Sequence, residues 1–208
     1  MQLDPASLAA EESYRLITGI VVPRPIAWVS TLSSAGVVNL APFSAFTFVS
    51  PKPPMLAISV GRKGRIYKDT AHNILSSEEY VVHIADSTLM TAVHESSAEF
   101  PSDVSEVEEL KLETLASEKV KPPRVARAPI AMECRFRQCI EFGETRSRLI
   151  VGEIVLFHIR DDLLKNGKIE TEALDPIARI AGPRYGRLSE IITLKSVFQT
   201  SKSAPSDR

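Results

Sequence analysis

Residues 61–73 read GRKGRIYKDTAHN, and four of the first ten are basic: Arg62, Lys63, Arg65 and Lys68. Such a segment can hold an anion or simply face water. It is not a G-x-x-x-x-G-K-[ST] phosphate loop, since the sixth residue from Gly61 is Ile66 and from Gly64 is Asp69. The G-x-G-x-x-G dinucleotide fingerprint does not occur in the chain. What remains is Lys68-Asp69-Thr70 at a predicted helix start, preceded by Arg62 and Lys63. Free amides at a helix N-terminus attract an anion. A Lys ammonium and a Thr hydroxyl beside them add a point charge and a donor. The set suits a single phosphate group. An ordinary capped helix behind a solvated basic loop has the same sequence.

A second constellation lies in residues 23–50, PRPIAWVSTLSSAGVVNLAPFSAFTFVS. Ser30 and Thr31 fall at a strand end before a turn. Asn39, then Ala41-Pro42-Phe43-Ser44, breaks a strand next to aromatic residues. Proline cannot donate to a ladder, so this strand is interrupted or lies at an edge. A break among small and polar residues exposes backbone groups that can read the polar edge of a flat ring. A barrel corner gives the same pattern. The remaining reactive residues suggest no chemistry of their own. His72, His83, His94 and His158 form no i, i+4 pair suited to zinc and are expected in structural or surface roles. No G-x-S-x-G nucleophile motif occurs. Cys134 and Cys139 lie five apart on one predicted strand, facing opposite sides, which makes a disulfide geometrically poor and fits a reducing cytoplasm.

The elements that would position these groups are mostly strands. Residues 7–17 read as a helix capped by Ser7 and ended at Gly19. Residues 26–31 (IAWVST) form a β-rich run, and residues 33–36 a hairpin turn. Residues 37–40, 44–49 and 55–60 are further strands, the last two joined by the stiff PKPP connector at 51–54. Asp69 or Thr70 can cap a short helix to about Leu75. Residues 80–85 are a strand, and 87–97 are helical. Ser105 and Glu108 have capping-box spacing for a helix that Lys121-Pro-Pro123 stops. Residues 131–140 alternate as a half-buried strand, with Met132, Cys134 and Phe136 on one face and Glu133, Arg135 and Arg137 on the other. Residues 149–159 form a long strand kinked at Gly152, and residues 188–198 a last one. Hairpins dominate and βαβ alternation is missing. The expected fold class is mainly β with short helices, an antiparallel barrel with helical appendages.

The 208 residues allow one sizeable core; residues 1–199 are expected to form one domain, followed by a disordered polar tail at 200–208. A net charge of −1 argues against a nucleic-acid coat, and no nucleic-acid partner is expected. Residues 95–119 hold eight acidic and two basic residues, which reads as a solvated face or a lid-like segment. No apolar run is long enough to span a membrane, and no signal peptide opens the chain, so a cytoplasmic protein without a membrane partner is expected.

Several ordered motifs together resemble the flavin reductase-like family: VVPRPIAWVST, the following G…NLAPFSAF, the SPKPP connector and KDTAHNI. Further on, VKPPRV at 120–125 with Ala128-Pro129 and Glu133-Cys134, GEIV at 152–155 with His158, and RIAGPRY at 179–185 continue the match. It covers most of residues 14–190 and is similar to the longer, flavoredoxin-type branch. The resemblance implies a split β-barrel that binds flavin mononucleotide (FMN) and forms a homodimer.

By this resemblance Lys68, Asp69 and Thr70 lie at the phosphate with Arg62 nearby, and Ser59 and Gly61 approach the phosphate or ribityl chain. Ser30 and Thr31 supply hydroxyls. Asn39, Ala41, Pro42, Phe43 and Ser44 line the isoalloxazine edge. Trp28 packs near the flavin or in the core, and Tyr185 reaches the ring from the C-terminal segment. No side-chain acid or base is required, because redox chemistry belongs to the cofactor. Asp69 would cap the helix, orient Lys68 or act through its backbone amide. The implied activity is NAD(P)H-dependent flavin reduction, with NADH or NADPH as donor and a partner redox protein or monooxygenase as possible acceptor. An FMN electron carrier without enzymatic activity and a flavin-free barrel module are the alternatives. One departure is Ala181, which stands where the family pattern R-[IL]-G-G-x-x-Y has its first glycine; a positive φ there would strain the backbone.

Overall fold

The computed structural model describes residues 1–63 and 66–195, the Lys63 side chain excepted. Seven strands form one antiparallel sheet: β1 (Ala27–Leu32), β2 (Val38–Phe43), β3 (Phe46–Pro51), β4 (Pro54–Val60), β5 (Glu79–Ile84), β6 (Ile130–Phe142) and β7 (Ser147–Ile159). Their order across the sheet is β2-β1-β5-β6-β7-β4-β3. The edge strands β2 and β3 are therefore consecutive in the chain, and β2 approaches β4 across the gap between them. The sheet curls into a barrel that is split between β2 and β3, the architecture the sequence predicts.

The apolar run at β1 is buried on both faces, which is why it does not alternate. Ala27 and Val29 face the barrel interior with Ile58, Val60, Tyr80, Val82 and Ile150. Trp28 faces outward into a second cluster with Leu40, Leu89, Val93, Val107 and Val125. That outer cluster is covered by the excursion carrying α3 (Met90–Glu95) and α4 (Glu106–Glu109). Helix α2 (Asp69–Ser77) buries Ala71 and Ile74 completely against the barrel core. Burying a side chain such as Ile74 contributes about 1.5–3 kcal/mol. Gly152 on β7 lies under the Tyr80 ring, and a Cβ there would stand 2.0 Å from the phenol oxygen.

Several expectations are corrected. Helix α1 runs from Ala10 to Ile20, beyond Gly19; its start is closed by Glu12, which accepts from the Ala9 amide at 2.9 Å, while Ser7 ends a preceding 3-10 turn. Strand β2 passes through Ala41-Pro42 unbroken, because it is an edge strand and Pro42 needs no outward partner. Ser105 does not cap α4; its hydroxyl donates to the Val38 carbonyl, and α4 ends at Glu109, well before Lys121. Residues 188–195 are not a strand; residues 196–198, Arg65 and the tail 200–208 lie outside the described residues. Strand β6 slips register between Phe136 and Gln138. This extra residue reverses the side-chain parity, so Cys134 and Cys139 both pack against the barrel core as free thiols rather than on opposite faces. Ala181 has no positive φ; Gly182 takes it, at +59°, so the departure at 181 strains nothing.

Candidate functional site

Helix α2 begins with Lys68 as its N-cap, so neither Asp69 nor Thr70 caps it as expected, and no side chain among the described residues does. The Lys68 carbonyl accepts from the amides of Ala71 at 3.0 Å and His72 at 3.1 Å, so the amides of Asp69 and Thr70 precede the ladder. The exposed Lys68 ammonium stands 5.7 Å from the centroid of the Phe43 ring, which ends β2 at the split of the barrel. Asp69, in the first helical turn, faces the positive end of the helix dipole. Ser59 and Gly61, at the end of β4, are half-buried, as are Ala41, Pro42 and Ser44. Arg62 stacks on the Tyr67 ring at 4.5 Å, and Arg148 packs on the same ring at 3.2 Å. The structure thus brings Lys68 and Asp69 together with Phe43 at one mouth of the barrel.

The other predicted groups are held internally. Trp28 is fully buried in the outer core and donates its indole N–H to Ser96 Oγ at 2.9 Å. Ser30 donates to the Pro123 carbonyl at 2.6 Å on that same outer side. The strand's alternation sends both away from the barrel mouth. Thr31, Asn39 and Thr70 point the other way, into a buried network. Asn39 Oδ1 accepts from Thr70 Oγ1 at 2.8 Å and from Thr31 Oγ1 at 3.3 Å. Asn73 Nδ2 donates to Thr31 Oγ1 at 3.0 Å. The hydroxyl protons of Thr31 and Thr70 are therefore used within the fold. What Thr70 offers a ligand is its amide, and Asn39 supports α2 rather than presenting its side-chain amide. Tyr185 is half-buried; its hydroxyl accepts from Arg179, and its ring meets His94 edge-on with centroids 5.6 Å apart.

Three residues at this site escaped sequence reading. Glu106 is buried, and its carboxylate accepts from Asn39 Nδ2 and from the Leu40 amide, each at 2.8 Å. Burial pushes this carboxyl above the ordinary range, its hydrogen bonds pull it back, and the charge of Asp69 adds to the upward shift. Within an acidic stretch that reads as solvated, nothing in the sequence marked it. Asn73 is hidden within the helix pattern. Arg24 lies between two prolines and donates to the carbonyls of Thr18, Val21 and Ile180 and to Ser44 Oγ. It ties α1, the β2–β3 link and the short hairpin of Ile177–Arg179 with Tyr185–Arg187 together; an arginine locked between prolines in an extended segment was the available signal.

A flavin reductase like domain matches residues 19–173. The chain belongs to the flavin reductase-like family. Among solved structures it resembles nitrilotriacetate monooxygenase component B from Bacillus cereus, at 37% identity and a TM-score of 0.90 over 93% of this chain and 98% of that one. It also resembles 2-nitrobenzoate 2-nitroreductase from Pseudomonas fluorescens, at 32% identity and a TM-score of 0.87 over 98% of this chain and 100% of that one. Flavoredoxin of Desulfovibrio vulgaris shares the fold at 18% identity, with a TM-score of 0.74 over 93% of this chain and 97% of that one. Members of this family with such different names share one barrel, so the site rather than the fold must define the activity.

Proposed function

We propose that the protein is an FMN-binding oxidoreductase that takes electrons from NADH or NADPH and passes them on as reduced flavin. The observation that carries this reading is the uncapped N-terminus of α2 beside Lys68 at the split of the barrel. That arrangement fits a phosphate: two amides ahead of the helical ladder, one ammonium, and no competing side-chain cap. Lys68 and the amides of Asp69 and Thr70 would hold the phosphate, with Arg62 nearby. Ser59, Gly61 and the segment Ala41, Pro42, Phe43 and Ser44 would flank the rest of the cofactor. Bound FMN supplies the hydride and electron chemistry. The chain's part is to hold the phosphate end and keep α2 fixed through the Thr70–Asn39–Glu106 bonds.

Two similar proteins support the oxidoreductase reading: one is a monooxygenase component, the other a nitroreductase. A partner monooxygenase is accordingly the proposed acceptor. A homodimer is proposed too, because α1 buries none of its residues while Tyr14, Ile17 and Ile20 stand exposed, as does Phe48 on the edge strand β3.

The test is the visible spectrum of the purified protein, followed by rapid mixing of its FMN-loaded form with NADH and with NADPH. A flavin band that bleaches with either donor is expected. A flavin band that bleaches with neither leaves an electron carrier, and a colourless protein that FMN does not stabilise against heat rules out the cofactor.

A further inference from the structure

On another side of the barrel the segment 124–129, the turn at Asp86 and Thr88, and the end of β7 enclose a cleft of about 680 Å³. Its wall carries Arg124, Arg127, His158 and Arg160 against a single acid, Asp86. None of the residues assigned to the flavin lines it.

The charges here are not all balanced among the described residues. Arg160 is matched: it pairs with Asp162 at 2.6 Å and reaches Asp86 at 3.7 Å. Asp86 also accepts from the Thr88 amide and hydroxyl. Arg124 and Arg127 have no carboxylate partner among the described residues. The Nε of Arg124 is buried and has no acceptor among the described residues. A buried cationic N–H without an acceptor is costly, and native structures normally satisfy such groups. The neighbouring His83 does not relieve it, since its ring is neutral and accepts from the Val125 amide.

The segment is held in place rather than loose. Arg124 pairs with Leu115 in a short ribbon, the Val125 amide is bound to His83 Nε2 at 2.9 Å, and the Arg160 amide bonds to the Pro129 carbonyl. His158 is oriented from below: its Nε2 lies 2.6 Å from Glu133 Oε1, and Glu133 is anchored by the amides of Glu118, Lys119 and Val120. One wall is apolar and carries Phe157, a large aromatic ring left 48% exposed. Cationic forks on one side and an aromatic face on the other recognise a flat ring that bears an anionic group.

We infer that this cleft is a second ligand site, separate from the proposed flavin site, that binds a flat organic anion, its carboxylate or phosphate on Arg124 and Arg127 and its ring against Phe157. An arene carboxylate and a nucleoside phosphate share this chemistry, and the volume admits either.

Calorimetric titration of the purified protein with benzoate, with adenosine monophosphate and with inorganic phosphate distinguishes the sources. One ring-bearing anion is expected to bind more tightly than inorganic phosphate, and more weakly as salt is raised. Arg127→Ala, at an exposed side chain, and Arg124→Lys, which keeps the charge but removes the guanidinium fork, should each weaken it at least ten-fold. FMN affinity, followed by flavin fluorescence, should stay unchanged in both variants. Benzoate binding alone assigns an arene carboxylate, and adenosine monophosphate binding alone assigns a nucleotide. No binding by either, binding of inorganic phosphate as tight as both, or full affinity in both variants overturns the site. A loss of FMN affinity in step with the anion would merge this cleft with the flavin site and overturn its separateness.

Discussion

Replacing Lys68 with Ala tests the phosphate reading at one ammonium group. The side chain is exposed and holds no part of the core, so folding should survive. FMN binding should weaken by about 1.5–3 kcal/mol, the range for a hydrogen bond to a charged group. A fluorescence titration with an unchanged dissociation constant would remove Lys68 from the site. His83 makes a separate, pH-dependent prediction. Its Nδ1–H donates to the Trp28 carbonyl at 2.8 Å, and its Nε2 accepts from Val125, so only the neutral ring fits. Burial, reinforced by Arg124 and His158 and opposed by the Trp28 bond, lowers its pKa to about 4 from the ordinary 6.5. Between those values the unfolded chain binds the proton and the folded chain does not. Stability therefore rises with pH from about 4 to 6.5 and is level above, a difference of about 3 kcal/mol. Urea midpoints across this window check it, and His83→Gln should flatten that part of the profile. Glu133 acts in the same direction at lower pH. Burial alone would raise its carboxyl, but the amides of Glu118 and Lys119 and the neighbouring His158 outweigh that and hold it below the ordinary range. Its contribution is present above the unfolded value and is lost as pH falls through the folded one.

At the scale of elements, the β6–β7 hairpin shows how packing overrides pattern. Glu133 alternates with apolar residues as an outward position should, yet it is fully buried beneath the loop 118–120, which turns its amides onto the carboxylate. Gly152 is fixed by the opposite need, room for the Tyr80 ring. Gly152→Ala should destabilise the fold by about 1–3 kcal/mol, because the Cβ meets the buried phenol rather than a flexible chain end. A urea midpoint equal to that of the parent would mean that β5 and β7 can separate at little cost. Helix α2 is the element that links fold to proposed function. Its inner face fills the barrel core with Ile74, while its N-terminus stays open beside Lys68.

For the whole molecule, the exposed apolar side chains of α1 and Phe48 on β3 are the surface that the proposed dimer would cover. Helix α1 is amphipathic but buries none of its residues, and a short helix on its own is marginal in water. Light scattering should give a mass near twice 22.9 kDa. Ile20→Asp together with Phe48→Asp should shift it to the single-chain value. A wild-type protein that runs as a monomer at micromolar concentration would sink the dimer. Among the described residues no helix is long and apolar enough to cross a membrane.

The strands of the barrel, the hairpin turn closed by Gly36, the start of α2 and the family resemblance were legible in residue order. Each rests on local signals: β-branched runs, turn glycines, prolines and short motifs. Local signals do not report which side of a strand finds a neighbour. Only the fold turned Trp28 and Ser30 outward into a second core and drew Thr31, Asn39 and Thr70 into one buried network. It also placed Glu106, from a stretch that looked solvated, beneath that network. The slip in β6 that brings both cysteines to one core is likewise invisible in sequence, since a single extra residue reverses parity without changing composition. The same holds for the cleft at Arg124. Its arginines come from segments far apart in the chain, and only the fold brings them to one wall. The sequence by itself determined that the chain forms a barrel with a basic helix start; the tertiary structure decided which polar side chains remain free to meet a ligand, because that depends on contacts between residues distant in sequence.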